Sequence, residues 1–338
     1  MPRPTRLSIA ALTEIVTGIF LRAGLNDIQA RSVAATIVAG ERDNCKSHGI
    51  YRIAGCLRTI EAGKVDPAAE PELQHDGGPL IRVNAGGGFS TAAFSVGAPV
   101  LAEQAAAQGI AALVINDCTH FSALWPEIET LTEAGVAALA MCPSYAAVAP
   151  SGGTAPLLGT NPFAFGWPRP GRHPYVFDFA TSIVARGEIE LHRQDGRTLP
   201  EGWAVDAEGR PTTDPHAALA GAMLPFGGHK GSAISTMIEL LAGAMIGDLT
   251  SPEALGALGS TALLPAHGEL IIAMSPARFA AGRPGDPFAR AERLLDAIAG
   301  QGARLPSERR FAARAAAMRD GIALSAEEMA MLEELRAG

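Results

Sequence analysis

The stretch PLIRVNAGGGFSTAAFSVGAPVLAEQAAAQGIAALVIN (residues 79–116) carries two different periodicities. Its ends, Pro79 to Asn84 and Gly109 to Asn116, are short apolar runs bounded by turn residues. Runs of that length and composition predict buried strands. Between them, Thr91 to Gln108 is alanine-rich and predicts a helix. Strand, helix and strand in succession are the unit from which α/β folds are built.

The pattern extends in both directions. Downstream, Val136 to Cys142, Phe163 to Trp167, Tyr175 to Phe179 and Glu269 to Met274 read as further strands. Glu127 to Glu133, Thr181 to His192, Pro287 to Ala299 and a C-terminal pair of segments read as helices. Ser232 to Ile246 is apolar enough to predict a buried helix. Gln194 to Pro215 is polar and rich in Gly, Pro and Asp, and predicts a surface loop or hairpin. Upstream, Ser8 is a suitable N-cap for a helix from Ile9 to Ala23. Asn26 and Asp27 can start a second helix running to about Asp43. Ser47 can cap a third from His48 to Ala62, which Gly63 ends. The expected class is α/β with helical segments at both ends of the chain.

Composition narrows the possibilities. The 338 residues are 48% hydrophobic and 18% charged, with 38 glycines. A chain of that size and apolarity buries a large core in one domain or two intertwined ones. The net charge of -8 and the lack of a basic cluster speak against nucleic acid. No apolar run reaches the roughly 18 residues of a membrane span, and no signal peptide is evident at Met1 to Leu7, so a cytoplasmic protein is expected. Cys45, Cys56, Cys118 and Cys142 form neither a CxxC pair nor a disulfide framework.

Four segments can carry chemistry. In Ser47-His48-Gly49-Ile50-Tyr51-Arg52, a helix would place His48 and Arg52 on one face. Histidine exchanges protons near neutrality, and the arginine fork matches a carboxylate. Together they can hold a small acid and protonate the atom beside its carboxylate, although an ordinary polar helix has the same spacing. Asn116 to Pro126 follows a strand and precedes a helix, where α/β proteins bind ligands. Pro225 to Ser232 joins glycines, Lys230 and a helix start, a setting for an anion. Arg304 to Arg310 surrounds a serine and a proline with three arginines, a phosphate grip or a solvated turn. The GxGxxG fingerprint follows no strand, since Gly86-Gly87-Gly88 has the wrong spacing. Neither His120 nor His229 has a carboxylate or a second His four residues on, so no metal site is expected.

Taken in order, SHGIYR (47–52), AGKV (62–65), HFSALWP (120–126), GTNPFAFGWP (159–168), DFATSIVARGEIEL (178–191), LPFGGHKGS (224–232) and RLPSERR (304–310) resemble the type-2 malate/L-lactate dehydrogenase family. The resemblance implies that family's own non-Rossmann NAD(P)-binding fold. The expected division is a helical domain of residues 1–75 plus 305–338 and an α/β cofactor-binding domain of residues 76–304. Ala123-Leu124-Trp125-Pro126 is most similar to the branch that reduces delta-1-piperideine-2-carboxylate and delta-1-pyrroline-2-carboxylate to L-pipecolate and L-proline.

Carried over position by position, the resemblance implies His48 as proton donor in a relay with Ser47 and Glu188. The branch typically has Asp where Glu188 stands. Arg52 and Thr160 are implied as substrate-binding. Cofactor contacts are implied at His120, Phe121, Ser122, Ala123 and Leu124, at Asp178, Phe179 and Ala180, and at His229 and Lys230. The last group is Arg304, Leu305, Pro306, Ser307, Glu308, Arg309 and Arg310. The expected cofactor is NADPH, with NADH possible, and the expected assembly is a homodimer. The alternative activity is an NAD(P)-dependent dehydrogenase of 2-hydroxy acids of the malate, lactate or ureidoglycolate type.

Overall fold

In the computed structural model, residues 5–121 and 123–337 are described. Ser122, expected as a cofactor contact, lies outside them. The frame is a seven-stranded sheet in the order Glu72–Gln74, Leu80–Asn84, Ile110–Thr119, Ala266–Met274, Ala137–Met141, Phe163–Trp167, Tyr175–Phe179. Leu80–Asn84 and Ile110–Thr119 pair in parallel, Leu80 opposite Ala112 and Asn84 opposite Asn116. Helix Ser90–Gln108 connects them, as the opening stretch predicts. The remaining neighbours in this sheet are antiparallel.

Among the described residues two large apolar cores stand out beside three smaller clusters. One joins the sheet to the helices Ser90–Gln108 and Trp125–Glu133, through Ile81, Leu113, Leu124 and Ile128. The other gathers helices Ile9–Arg22, Asp27–Arg42 and Ile53–Glu61 with Ile322, Leu324 and Leu332 from the C-terminal segment. Phe89 and Phe121 also belong to this second core and meet edge to face at 5.8 Å. They fasten the helical core to the ends of the sheet strands. Gln29, fully buried, does the same by hydrogen bonds: its amide donates to the carbonyls of Asp66, Pro67 and Ala69, and its oxygen accepts from Phe89 N. Ser8 and Asn26 cap the first two helices as expected.

Three sequence expectations need correction. The helix expected from His48 to Ala62 begins only at Ile53. Residues Lys46–His48 and Ile50–Arg52 form two short 3₁₀ turns separated by an extended Gly49. Packing against helix Asp27–Arg42 imposes this. A Cβ on Gly49 would come within 2.0 Å of Glu41 Oε1, and one on Gly40 within 2.4 Å of the His48 carbonyl. Likewise the helix expected from Thr181 starts at Arg186. The backbone before it is committed elsewhere, Thr181 N to Thr160 O and Ile183 N to Leu224 O. Finally, the segment expected to be a buried helix from Ser232 runs as helix His229–Glu239 followed by a π turn, Leu240–Ala244. It leaves Leu240 59% and Met245 61% exposed.

Candidate active site

The tight Lys46–Arg52 turns bring their side chains to the end of strand Ile110–Thr119 and the start of helix Trp125–Glu133. Ser47 Oγ lies 3.0 Å from His48 Nδ1, and Arg52 Nε donates to the Ser47 carbonyl at 2.8 Å. The helix-face argument for His48 and Arg52 therefore fails, yet the two are neighbours through the 3₁₀ turns. Among the described residues Arg52 makes no salt bridge, and the hydrogen bond from Nε is its one recorded side-chain bond. Its two terminal nitrogens are left to bind an anion. Burial, with the Arg52 and His120 charges adding to it, pushes the His48 imidazole down to about 3.

Trp125 forms the wall facing His48, ring edge against ring at 5.9 Å and 84°. Its indole is fixed on both sides. Nε1 donates to Asp43 Oδ2 at 3.2 Å, and the Arg310 guanidinium lies 5.0 Å from the ring centroid. Asp43 is buried among Arg42, Arg310 and Arg314. Burial raises its carboxyl, but the hydrogen bonds from Arg314 and Arg42 outweigh this and hold it below the usual range. Glu129 receives Arg310 at 2.7 Å and Arg314 at 2.6 Å. Asp43, Glu129 and Arg314 carried no sequence signal, since they lie in three helical regions and meet only in the fold.

Asp178 closes the arrangement. Its Oδ2 accepts from Leu124 N at 2.8 Å and Trp125 N at 3.0 Å, satisfying the free donors at the helix start. Burial raises this carboxyl to about 6, against the pull of those same hydrogen bonds. Beyond it Phe179 stacks on Phe177 at 5.1 Å and meets Phe226 at 5.7 Å, which links the strand end to the loop before His229. Ser307, with a left-handed backbone at φ 68°, donates from Oγ to Val176 O at 2.6 Å and accepts from Arg310 at the same distance. A continuous strip thus runs from His48 through Trp125 and Asp178 to residues 225–230 on one side and 305–310 on the other.

The residues expected at cofactor contacts divide by what they expose. His120, Phe121, Ala123 and Leu124 are buried, so only their backbone can face a ligand. The His120 ring points inward, its Nε2 3.4 Å from Glu269 Oε2 and its face stacked on His267. Ala180 is half-buried, as are Pro306 and Ser307, while Leu305 is buried. His229, Lys230, Arg304, Glu308 and Arg309 are exposed. Gly227 and Gly228 both take positive φ, and helix His229–Glu239 has no side-chain cap on its first N–H groups. Lys230 N, Gly231 N and Ser232 N already donate to the carbonyls of Gly227, Phe226 and Gly228, so what this helix start offers an anion is the Lys230 charge and the positive end of the helix. Arg310 is different: its guanidinium is already spent on Asp43, Glu129 and Ser307. The carbonyl of Thr160 accepts from Thr181 N at 2.8 Å and Oγ1 at 3.1 Å. Glu188 makes no hydrogen bond to Ser47 or His48 among the described residues; its carboxylate is 45% exposed and lies 3.9 Å from His192 Nδ1.

Comparison with known proteins adds a second line. The family described as Malate/L-lactate dehydrogenase matches residues 7–333. Delta(1)-pyrroline-2-carboxylate reductase of Agrobacterium fabrum is 68% identical over 336 residues, 99% of this chain and 97% of that protein. Delta(1)-pyrroline-2-carboxylate/Delta(1)-piperideine-2-carboxylate reductase of Pseudomonas aeruginosa is 55% identical over 97% of this chain and 99% of its own length. The crystal structure of delta1-piperideine-2-carboxylate reductase from Pseudomonas syringae superposes with a TM-score of 0.93 at 40% identity, covering 98% of this chain and 99% of that one.

Proposed function

Because this chain belongs to the malate/L-lactate dehydrogenase family, we propose that it reduces a cyclic ketimine carboxylate, delta-1-pyrroline-2-carboxylate or delta-1-piperideine-2-carboxylate, to L-proline or L-pipecolate with NADPH. The observation that carries the reading is the unpaired Arg52 fork beside His48, with the Trp125 ring as its wall. A flat five- or six-membered ring bearing a carboxylate matches an arginine fork at one end and an aromatic wall along its side.

The chemistry follows from those groups. A nicotinamide held there would supply the hydride that C2 of the substrate takes up. Arg52 grips the carboxylate and fixes the ring, and orientation of this kind is worth several kcal/mol. His48 delivers the proton that the ring nitrogen keeps. With Nδ1 facing the Ser47 hydroxyl, Nε2 is the nitrogen free to face substrate. Arg52 is one of the charges holding the His48 imidazole neutral. A substrate carboxylate on Arg52 offsets that charge and so strengthens His48 as a proton carrier in the loaded site. Glu188 stays the proposed acid of the relay, and its half-exposed carboxylate reaches Ser47 and His48 only by moving. Thr160 stays a proposed substrate contact.

The donor set fits the cofactor. The positive end of helix His229–Glu239, Lys230 and the exposed Arg304 and Arg309 would hold its phosphates, and the basic groups favour NADPH over NADH. Backbone groups of residues 120–124 and 178–180 would border the nicotinamide end. We take residues 1–75 plus 305–338 and residues 76–304 as two domains, supported by the two largest apolar cores, of which the helical one also takes in Phe89, Phe121 and Leu264. We take the chain to act as a homodimer, supported by the exposed apolar side chains Met237, Leu240 and Met245 on one helical segment. Among the described residues no helix is long and apolar enough to cross a membrane, and the four cysteines are free thiols, which supports a cytoplasmic setting.

The test follows NADPH oxidation with pyrroline-2-carboxylate, piperideine-2-carboxylate, pyruvate and oxaloacetate as separate substrates. Turnover of the two imines is expected. Turnover of the keto acids alone would instead establish the 2-hydroxy-acid dehydrogenase.

A further inference from the structure

Behind the Trp125 wall lies a group of side chains that the reaction does not use. Glu127, in the first turn of helix Trp125–Glu133, and Glu269, on the central strand Ala266–Met274, are both buried. With His120 they offer ligand atoms that all lie within 4.8 Å of one another. Taken as two anions, both carboxylates are orphaned: among the described residues none of their four oxygens has a hydrogen-bond partner, nor has His120 Nε2. Two unpaired carboxylates at full burial are not a tenable state, since each would lose its hydration without replacement. An ionised carboxylate only accepts, so one proton changes the account, turning one acid into a donor to the other.

The surroundings decide which acid keeps the proton. Glu269 faces the His120 ring at 3.4 Å, with His267 stacked behind, an environment that favours its anion. Glu127 also lies within 4.8 Å of His120, but the 3.4 Å contact of that ring is with Glu269, and the acids Glu269 and Asp178 both press against a charge on Glu127. The helix-start N–H groups that might have welcomed its charge are already taken by Asp178. The other titratable groups packed around the pair are the thiols of Cys118 and Cys142, whose own ionisation is suppressed by burial and by these acids.

We propose that Glu127 and Glu269 share a single proton, Glu127 standing as the neutral acid that donates to Glu269, and that this bond pins the first turn of the Trp125 helix to the central strand. Glu269 is then a positioning residue that acts on the cleft through Trp125. The direction of pH dependence follows. Burial raises Glu127 well above the usual carboxylate range, so the folded chain keeps a proton that the unfolded chain releases above about pH 4.5. Its contribution to stability is full below that pH and lost as pH rises.

The experiment uses the full chain and its E127Q and E269Q variants. Glutamine has the shape of the neutral acid and still donates, so E127Q is expected to fold and to gain in melting temperature over the native chain as pH goes from about 5 to about 8. Infrared difference spectra at about pH 8 should show one buried protonated carboxylic acid in the native chain and none in E127Q. E269Q removes the accepting anion. It should melt several degrees lower and raise the KM for the imine about tenfold, with kcat less affected. Elemental analysis covers the rival explanation of the same donor atoms. A stoichiometric divalent metal in the purified chain would overturn the proposal, as would E127Q as damaging as E269Q, or no protonated-acid band. If E269Q fails to fold, E127Q and the infrared band still decide. Those two readouts use no substrate, so they fail or succeed independently of the imine assignment.

Discussion

The Trp125 indole N–H donates to the buried carboxylate of Asp43 at 3.2 Å, and through that bond the ring facing His48 is tied to a buried ion cluster. Asp43 holds Arg42, Arg310 and Arg314 together, and Glu129 takes the last two from the other side. Asp43→Ala leaves three guanidinium groups with one acid and strands the indole donor. Breaking a buried pair by removing one partner costs about 3–5 kcal/mol. Urea unfolding should register a loss of that order, and a loss below about 1 kcal/mol would show that the cluster is solvated rather than buried.

Trp125→Phe separates the wall from its anchor. A phenyl ring keeps an apolar surface against His48 but cannot donate to Asp43 and offers a weaker face to Arg310. Asp43 Oδ2 keeps its arginine donors, so the expected stability cost is about 1–2 kcal/mol, from one lost charge-assisted hydrogen bond and a smaller ring. The KM for the cyclic imine should rise about tenfold while pyruvate, too small to span the wall, is affected less. Equal effects on both compounds would remove Trp125 from substrate selection.

Arg52 tests the carboxylate grip. Its fork is held by Nε to the Ser47 carbonyl, which among the described residues leaves the two terminal nitrogens without a hydrogen-bond partner. Lysine keeps the charge but neither the fork nor the Nε bond, so Arg52→Lys should behave more like Arg52→Ala than like the native chain. Both should raise the imine KM by about a hundredfold, the value of a two-point charged contact of about 2–3 kcal/mol. Calorimetric titration with NADPH should show its affinity unchanged in both variants.

These residues also show where sequence reading works. The strand and helix of residues 79–116 were legible because their signals are local: apolar runs, turn glycines, an alanine-rich stretch. His48 and Arg52 were found for a reason that proved incorrect, since a helix at four-residue spacing is not what joins them. The close packing of Gly40 and Gly49 against Glu41 and His48 converts the segment into 3₁₀ turns, and that contact depends on a neighbouring helix. Asp43, Glu129 and Arg314 were illegible for the same reason: each reads as an ordinary charge on an ordinary helix until tertiary packing gathers them around Trp125. Asp178 had a sequence signal, but its position now makes it the cap of the Trp125 helix.

The protonation of His48 distinguishes an empty cleft from a loaded one. In the free chain burial and the charges of Arg52 and His120 hold the imidazole at about 3, so at neutral pH it is uncharged. A histidine depressed in the folded state favours unfolding once the unfolded chain begins to protonate, so its contribution is full above about pH 6.5 and is lost as pH falls toward 3. Asp178, raised to about 6, acts with the opposite sign between about pH 4 and its own midpoint, because the fold keeps a proton that the unfolded chain releases. Bulk stability against pH therefore mixes the two, and the imidazole itself must be watched. Nuclear magnetic resonance of the His48 ring should show no titration in the free chain between about pH 5 and pH 8. With pyrrole-2-carboxylate, a flat ring acid that cannot accept hydride at C2 as the imine does, the carboxylate offsets the Arg52 charge. The midpoint should then move upward, and Arg52→Ala should move it upward without any ligand. A midpoint that ignores both changes would mean that Arg52 does not govern the proton affinity of His48.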